Sequence, residues 1–323
     1  MSNGDQTTEE DRLGAILKDT RFRLATAIGA LLALHACSDA QQDCIQDKDR
    51  DLQVRACTDI IRGDASAAWA YHNRANAYEA KGDYDRAIAD YTEAIGVSGG
   101  RFVQAYGARG FVYGEKGDYD RAIADLTTAI EFNPQNDSAY FFRGFAYSFK
   151  HDPDRAIADF TKVVEINPRH ARAYYNRGNA YAQKGDHGRA IADFTRVIEL
   201  RPKFADGYNN RGVAYMKMGD YDRAIAEQTK ALEIDSTTPE AFSYYFNRAL
   251  AYLKAGKATE GLSDAERALQ LSPNSAFALN ARGQILEALG RRQDAIADFR
   301  QALAIDPNIV DSRDGLSRLG ATP

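Results

Sequence analysis

The chain has 323 residues, 27% of them charged and 44% hydrophobic, the make-up of a folded protein and not of a disordered tail. A formal net charge of −5, with only short basic clusters such as Arg291-Arg292, argues against a nucleic-acid partner. Only eight prolines occur, none inside a helix-period segment after residue 60, and the alternation typical of strands is missing, so the expected class is all-α.

In chain order, the first feature is the run LATAIGALLALHA over 24–36, apolar on every side and preceded by Lys18, Arg21 and Arg23. Thirteen residues are too few to span a bilayer but suit the core of a secretory signal. The competing reading is a buried first helix. Two cleavage schemes fit a signal: a small-residue site, SDA before Gln41, or a lipoprotein box, LHAC ending at Cys37, which would anchor the chain to a membrane by lipid. The acidic stretch EEDR ahead of the run is unusual for a signal and fits a start upstream of the signal proper. Residues 1–40 are therefore expected to be an extension with a signal segment.

Beyond residue 60 the chain repeats itself. GDYDRAIADYTEAI begins at Gly82, and further versions begin at Gly117, His151, Gly185, Gly219, Gly256 and Gly290, at intervals of 35, 34, 34, 34, 37 and 34 residues. Before each stands a segment such as AYYNRGNAYAQK, from Ala173, in which apolar and small residues recur three and four apart. Each unit thus predicts two antiparallel helices with a short turn between them, Gly-Asp in several units. Five of the seven close on a proline (Pro134, Pro168, Pro202, Pro273, Pro307), Gly99 and Ser236 standing there in the other two. Small residues recur at Ala75, Gly110, Gly144, Gly178, Gly212, Ala249 and Gly283, and again at Ala87, Ala122, Ala156, Ala190, Ala224, Gly261 and Ala295. Two small faces permit close helix–helix approach, and since one pair cannot bury both of its faces, neighbouring pairs must stack.

Seven repeats are placed over 68–309, an incomplete capping repeat over 41–67, and a C-terminal cap over 310–323. In the capping repeat DRDLQVRACTDII aligns with DYDRAIADYTEAI, which sets Cys57 at the place of Tyr91 and Cys44 at that of Tyr78. Those places face each other across a helix pair, so a disulfide between Cys44 and Cys57 is expected, the alternative being two reduced core cysteines.

The 34-residue period, the small-residue ladders, the first-helix tyrosines and the closing prolines closely resemble the tetratricopeptide repeat. The resemblance covers about 68–309. It implies a right-handed superhelical solenoid with first helices lining a concave groove, in a family that mostly binds other proteins and rarely catalyses. Together with the signal-like run and the cysteine pair, it resembles exported bacterial members of the family, which implies a periplasmic or secreted location; a cytoplasmic one is the alternative.

One departure from the family is regular. Arg74, Arg109, Arg143, Arg177, Arg211, Arg248 and Arg282 stand where a larger apolar residue is usual, each followed sixteen residues later by Asp90, Asp125, Asp159, Asp193, Glu227, Asp264 or Asp298. A ladder of ion pairs between first and second helices, within or between repeats, accounts for this better than an anion site does. Twelve tyrosines in two recurring slots (Tyr71, Tyr106, Tyr140, Tyr174, Tyr208, Tyr245 and Tyr78, Tyr113, Tyr147, Tyr181, Tyr215, Tyr252) read as core packing.

What differs between repeats carries specificity. Phe141, Phe145 and Phe149, spaced i, i+4, i+8, form a second stripe on their helix, with Phe111 and Tyr175 at corresponding positions in the neighbouring repeats. By the family analogy this stripe faces the groove, where it contacts a ligand or packs against other helices. Beside it run Asn73, Asn76, Asn176, Asn179, Asn209, Asn210 and Asn247, suited to hydrogen-bonding an extended peptide backbone. The ligand site is thus placed on Phe111, Phe141, Phe145, Phe149, Tyr175, Asn176, Asn179 and Asn209. A carboxylate clamp of the kind some family members use finds its nearest match in Asn179 and Lys217.

Motifs for catalysis are missing: there is no phosphate loop, no HExxH and no CxxC. His151 and His187 occupy equivalent turns but lack carboxylate or thiolate support for a metal. No cofactor or metal is expected. The reading is a protein- or peptide-binding scaffold, with a structural or self-assembling array, or an accessory subunit of an envelope complex, as the alternatives.

Overall fold

The computed structural model describes residues 39–322; the apolar run 24–36 and Cys37 lie outside the described residues. These fall into two compact units, the first ending at Pro134 and the second beginning at Gln135. Every regular element among them is an α-helix. In the first unit a helical segment over 39–45 precedes α1 (Arg50–Gly63), α2 (Ala68–Ala80), α3 (Tyr84–Val97), α4 (Val103–Glu115) and α5 (Tyr119–Phe132). The second holds α6 (Asp137–Phe149), α7 (Pro153–Ile166), α8 (Ala171–Gln183), α9 (His187–Leu200), α10 (Ala205–Lys217) and α11 (Tyr221–Ile234). It continues through α12 (Ala241–Lys254), α13 (Ala258–Leu271), α14 (Ala276–Ala288), α15 (Arg292–Ile305) and α16 (Val310–Arg318). Within each unit every first helix packs on its own second helix, and that second helix packs on the first helix of the next repeat.

The repeated Gly-Asp explains the turn. Gly82, Gly117, Gly185 and Gly219 have φ of 75–80°, ending the first helix in the left-handed conformation that a Cβ disfavours. His151 takes the same place with φ 56°, the one such non-glycine residue among those described. The following aspartate is the N-cap: Asp83, Asp118, Asp152, Asp186 and Asp220 accept from the backbone N–H of Arg86, Arg121, Arg155, Arg189 and Arg223 at 3.1–3.2 Å. The same arginines pair with their capping aspartates and lie over the rings of Tyr78, Tyr113, Tyr147, Tyr181 and Tyr215 at 4.4–4.9 Å.

This refines the reading of the tyrosines as core packing, since Tyr71, Tyr78, Tyr140, Tyr174, Tyr208 and Tyr245 do pack against core clusters. Tyr113 and Tyr147 are buried and the other ten are half-buried, and eleven of the twelve carry a guanidinium group over the ring. The core beneath is built by the residue sixteen places after the small one. At Gly178 a Cβ would come within 2.8 Å of Phe194 Cε1, so the ring lies directly on the glycine backbone; Gly283 meets Phe299 in the same way at 2.7 Å. Phe194 and Phe299 are 1% and 0% exposed, a burial of about 2–3 kcal/mol each.

The arginine ladder lies within repeats. In six of them Nε and Nη2 donate in parallel to the two aspartate oxygens at 2.7–2.9 Å. The aspartates are buried and the guanidinium pKa values are raised, in most of the repeats chiefly by these bonds. The remaining Nη1 of Arg74, Arg109, Arg177, Arg211 and Arg248 donates to a threonine of the preceding second helix: Thr58, Thr92, Thr161, Thr195 and Thr229, at 2.8–3.1 Å. One side chain thereby joins the two helices of a repeat and the repeat to its predecessor, which accounts for the arginines without an anion.

At the N-terminal end Cys44 and Cys57 are fully buried, their Cα atoms 4.8 Å apart and their Sγ atoms at bonding distance, 2.08 Å. At the other end α16 closes the array. Leu316 is fully buried, Ser312 donates to Asn280 at 2.8 Å, and Arg318 forks onto Glu287 at 2.8 Å. Among the described residues no helix is long and apolar enough to cross a membrane.

Candidate functional site

In the second unit three successive first helices, α8, α10 and α12, are joined by side-chain amides. Asn247 Nδ2 donates to Asn209 Oδ1 at 2.9 Å, and Asn209 Nδ2 donates to Asn210 Oδ1 at 3.0 Å. Asn210 Nδ2 then donates to Asn179 Oδ1 at 2.9 Å and to the Tyr175 hydroxyl at 3.0 Å. The donors all run one way, from α12 to α8, so each bond polarises the next. At the α12 end nothing among the described residues pairs with Asn247 Oδ1. The first helices supply this line because their other faces are occupied by the small residues and the arginine forks.

A second link lies beside the ladder. The Tyr244 hydroxyl donates to Asp206 Oδ1 at 2.7 Å, joining α12 to α10. Burial first, and then Asp206, raises the Tyr244 pKa far above its ordinary value. Burial and the Asp206 charge also raise the Tyr175 phenol, partly offset by hydrogen bonds from Asn179 and Asn210. Both phenols stay protonated at neutral pH, Tyr244 as the donor to Asp206 and Tyr175 as an acceptor from Asn210.

The predicted site residues separate into groups. Tyr175, Asn179 and Asn209 belong to the ladder, while Asn176 stands outside it, half-buried on α8. Tyr175 also packs on Phe194 and Phe204, with ring centroids 6.0 and 5.3 Å away. Phe141 is engaged in packing, against Phe142, Phe160 and His170 at 4.9–5.8 Å. Further along α6, Phe145 and Phe149 meet edge to face at 4.8 Å and remain 39% and 51% exposed. Phe111, in the first unit, is partly buried against the core around Ala75, Ala87 and Val112. Lys217, paired with Asn179 in the clamp reading, is exposed and outside the ladder, whose Asn210 occupies the Asn179 carbonyl.

Sequence reasoning missed Gln228, buried on α11 behind the ladder, where its Nε2 donates to the Asn209 backbone carbonyl at 3.0 Å. It also missed a polar group in the first unit. There the Tyr91 hydroxyl lies 2.7 Å from Asn76 Oδ1 and 2.6 Å from Glu79 Oε2, with the His72 ring 5.5 Å from that of Tyr91. Burial lowers the His72 pKa to about 4, and raises that of Glu79. No group of three metal-ligating side chains occurs among the described residues. Surface clefts of about 550 and 450 Å³ lie at turns around Met218, and none of their lining residues belongs to the ladder.

Comparison with known proteins agrees with this architecture. A TPR repeat model matches residues 102–148, 153–185 and 178–219, and tetratricopeptide repeat models match 68–98, 209–276 and 276–309. No curated protein matches the sequence. Among solved structures, a tetratricopeptide repeat protein from Parabacteroides merdae is similar with a TM-score of 0.58 and 21% identity, over 78% of this chain and 98% of that one. The type IV pilus biogenesis factor PilW has a TM-score of 0.58 and 20% identity, over 67% and 99%. YrrB, described as a TPR protein with an unusual peptide-binding site, has a TM-score of 0.53 and 25% identity, over 63% and 99%. The helix pairs, their 34-residue period and four matching family models agree: the chain belongs to the tetratricopeptide repeat family, and is a TPR repeat scaffold.

Proposed function

We propose that the second unit binds an extended peptide segment of a partner protein across α8, α10 and α12, with the exposed Phe145–Phe149 pair as a neighbouring apolar contact. The observation that carries this reading is the one-directional amide ladder from Asn247 to Asn179. Main-chain peptide groups alternate donor and acceptor, and a row of asparagines meets both with little dependence on sequence. Specificity then comes from side chains that reach the aromatic pair. The likeness to YrrB supports a peptide as the ligand class.

The site of action is proposed to be outside the reducing cytoplasm, in the periplasm or secreted, with Cys44 and Cys57 oxidised. The pairing of the two buried cysteines across the capping helix pair supports it, as does the apolar run 24–36 after three basic residues. An intact mass of the protein from its native cells tests both points: a shortened chain two hydrogens lighter than the reduced form is expected, and a full-length reduced chain overturns the location.

For the binding function, a display library of random peptides selected on the full chain is expected to yield binders that fail on the folded double variant Asn179→Ala/Asn210→Ala. Binders that retain full affinity for that variant would place recognition elsewhere.

A further inference from the structure

We propose that Gln228 is a positioning residue for the amide ladder, and that the repeat spanning α10 and α11 gives up aromatic core packing to hold it. This rests on the reading of the ladder as a binding surface. Seven repeats supply the comparison. Sixteen residues after the small residue of each first helix stand Tyr91, Leu126, Phe160, Phe194, Gln228, Ala265 and Phe299. Six are apolar or aromatic. Gln228 is the sole amide in that column and is only 1% exposed.

Lack of room does not explain the glutamine. A Cβ on Gly212 would come within 2.8 Å of Gln228 Nε2, the separation by which Gly178 would meet Phe194, so the slot has the geometry that takes a ring in α8 and α9. What changes is the partner three residues before the small one. Phe141 packs on Phe160 at 5.8 Å and Tyr175 on Phe194 at 6.0 Å, ring on ring. In the α10–α11 repeat that partner is Asn209, which Gln228 meets through its backbone carbonyl and not through a ring.

The hydrogen bonds show what the glutamine does and what it leaves undone. Its Nε2 holds the Asn209 backbone carbonyl at 3.0 Å, on the turn whose side chain receives from Asn247 and donates to Asn210. Its Oε1 is buried with no hydrogen-bond partner among the described residues. In the same repeat Glu227 replaces aspartate. Both of its oxygens are met by Arg211 Nη2, at 2.8 and 2.9 Å, and Arg211 Nε is left buried and unpaired. Buried polar groups without partners are rare and costly. Two of them in the one repeat whose first helix carries two ladder asparagines indicate that packing there is subordinate to holding α10 in register.

The test uses the full chain with Gln228→Leu, the residue that the slot holds at Leu126, and Gln228→Phe. Side-chain amide protons of Asn209 and Asn247 are expected to exchange with water about tenfold faster in the leucine variant, while backbone amides of α10 keep their protection and the unfolding midpoint holds or rises. Unchanged side-chain exchange in a folded variant overturns the proposal, and so does loss of folding in both variants, since the glutamine would then be needed for the core itself. Exchange is read without a ligand, so it judges the positioning role even if no peptide binds; a peptide selected on the wild type and bound equally by the leucine variant would overturn only the link to binding.

Discussion

Two adjacent repeats in the second unit differ in a single idea. The α8–α9 repeat fills its centre with Phe194, lying on Gly178 and against Tyr175, and closes its arginine fork on Asp193. The α10–α11 repeat keeps the glycine, the arginine and the turn, but puts Gln228 and Glu227 where the ring and the aspartate stood. The first is organised for packing. The second carries the asparagines that tie three first helices together and bears two unpaired buried atoms. A repeat array permits this, because each repeat depends mainly on its neighbours and one can be less stable without loss of the whole.

The contrast is most sharply broken by truncation. Phe194→Ala is expected to cost about 3–5 kcal/mol, through lost burial and the cavity left on Gly178. Gln228→Ala should cost about 1 kcal/mol or less, because it also removes an unpaired acceptor. Chemical denaturation of the two variants checks this, and equal losses would refute the distinction.

A third version of the same contact sits in the first unit, where His72 packs on Tyr91 and Phe102 with a buried, unpaired Nδ1. Its pKa of about 4 in the folded protein lies below the ordinary 6.5. Between those values the unfolded chain takes up a proton that the folded chain refuses. The stability contributed is therefore complete above about pH 6.5 and lost as the pH falls through 4. The full span is roughly 2–3 kcal/mol after discounting for partial exposure. Denaturation of wild type and His72→Phe across this range should give curves that diverge as the pH falls, with the phenylalanine variant flatter; parallel curves would contradict the assignment.

The smallest effect concerns the fork. Glu227→Asp should let Arg211 donate through both Nε and Nη2 as its six counterparts do, a gain of about 1 kcal/mol. A thermal unfolding scan would detect it, and a loss would mean that the longer acid is required there.

Much of this was legible in the sequence, for identifiable reasons. Period and small-residue ladders are local signals repeated seven times, and Gly-Asp marks four of the seven turns, so helix pairing followed from them directly. The sixteen-residue spacing of arginine and acid likewise placed the ion pairs, though not that they lie within repeats, because a helix pair and a repeat junction both bring such residues together. The aromatic stripe was less legible. Phe141, Phe145 and Phe149 share one helical spacing, yet Phe141 is near enough to α7 to pack on Phe160, whereas Phe145 and Phe149 are not enclosed. The tyrosines were legible as packing, because a recurring ring reads as core, but not as the shelf under arginine that they also form, which depends on a residue of the following helix. Asn210 and Asn247 were visible as amides, but their bonding depends on how consecutive first helices align, which no single repeat encodes. Gln228 did carry a signal: it is the one amide in an apolar column.

The most direct test of the central claim is a titration of the full chain with a peptide selected on it, followed through the side-chain amide resonances of the asparagines. The account predicts perturbation of Asn179, Asn209, Asn210 and Asn247 together, with smaller changes in amides off the ladder such as Asn176. Saturable binding that leaves those four unmoved would contradict it.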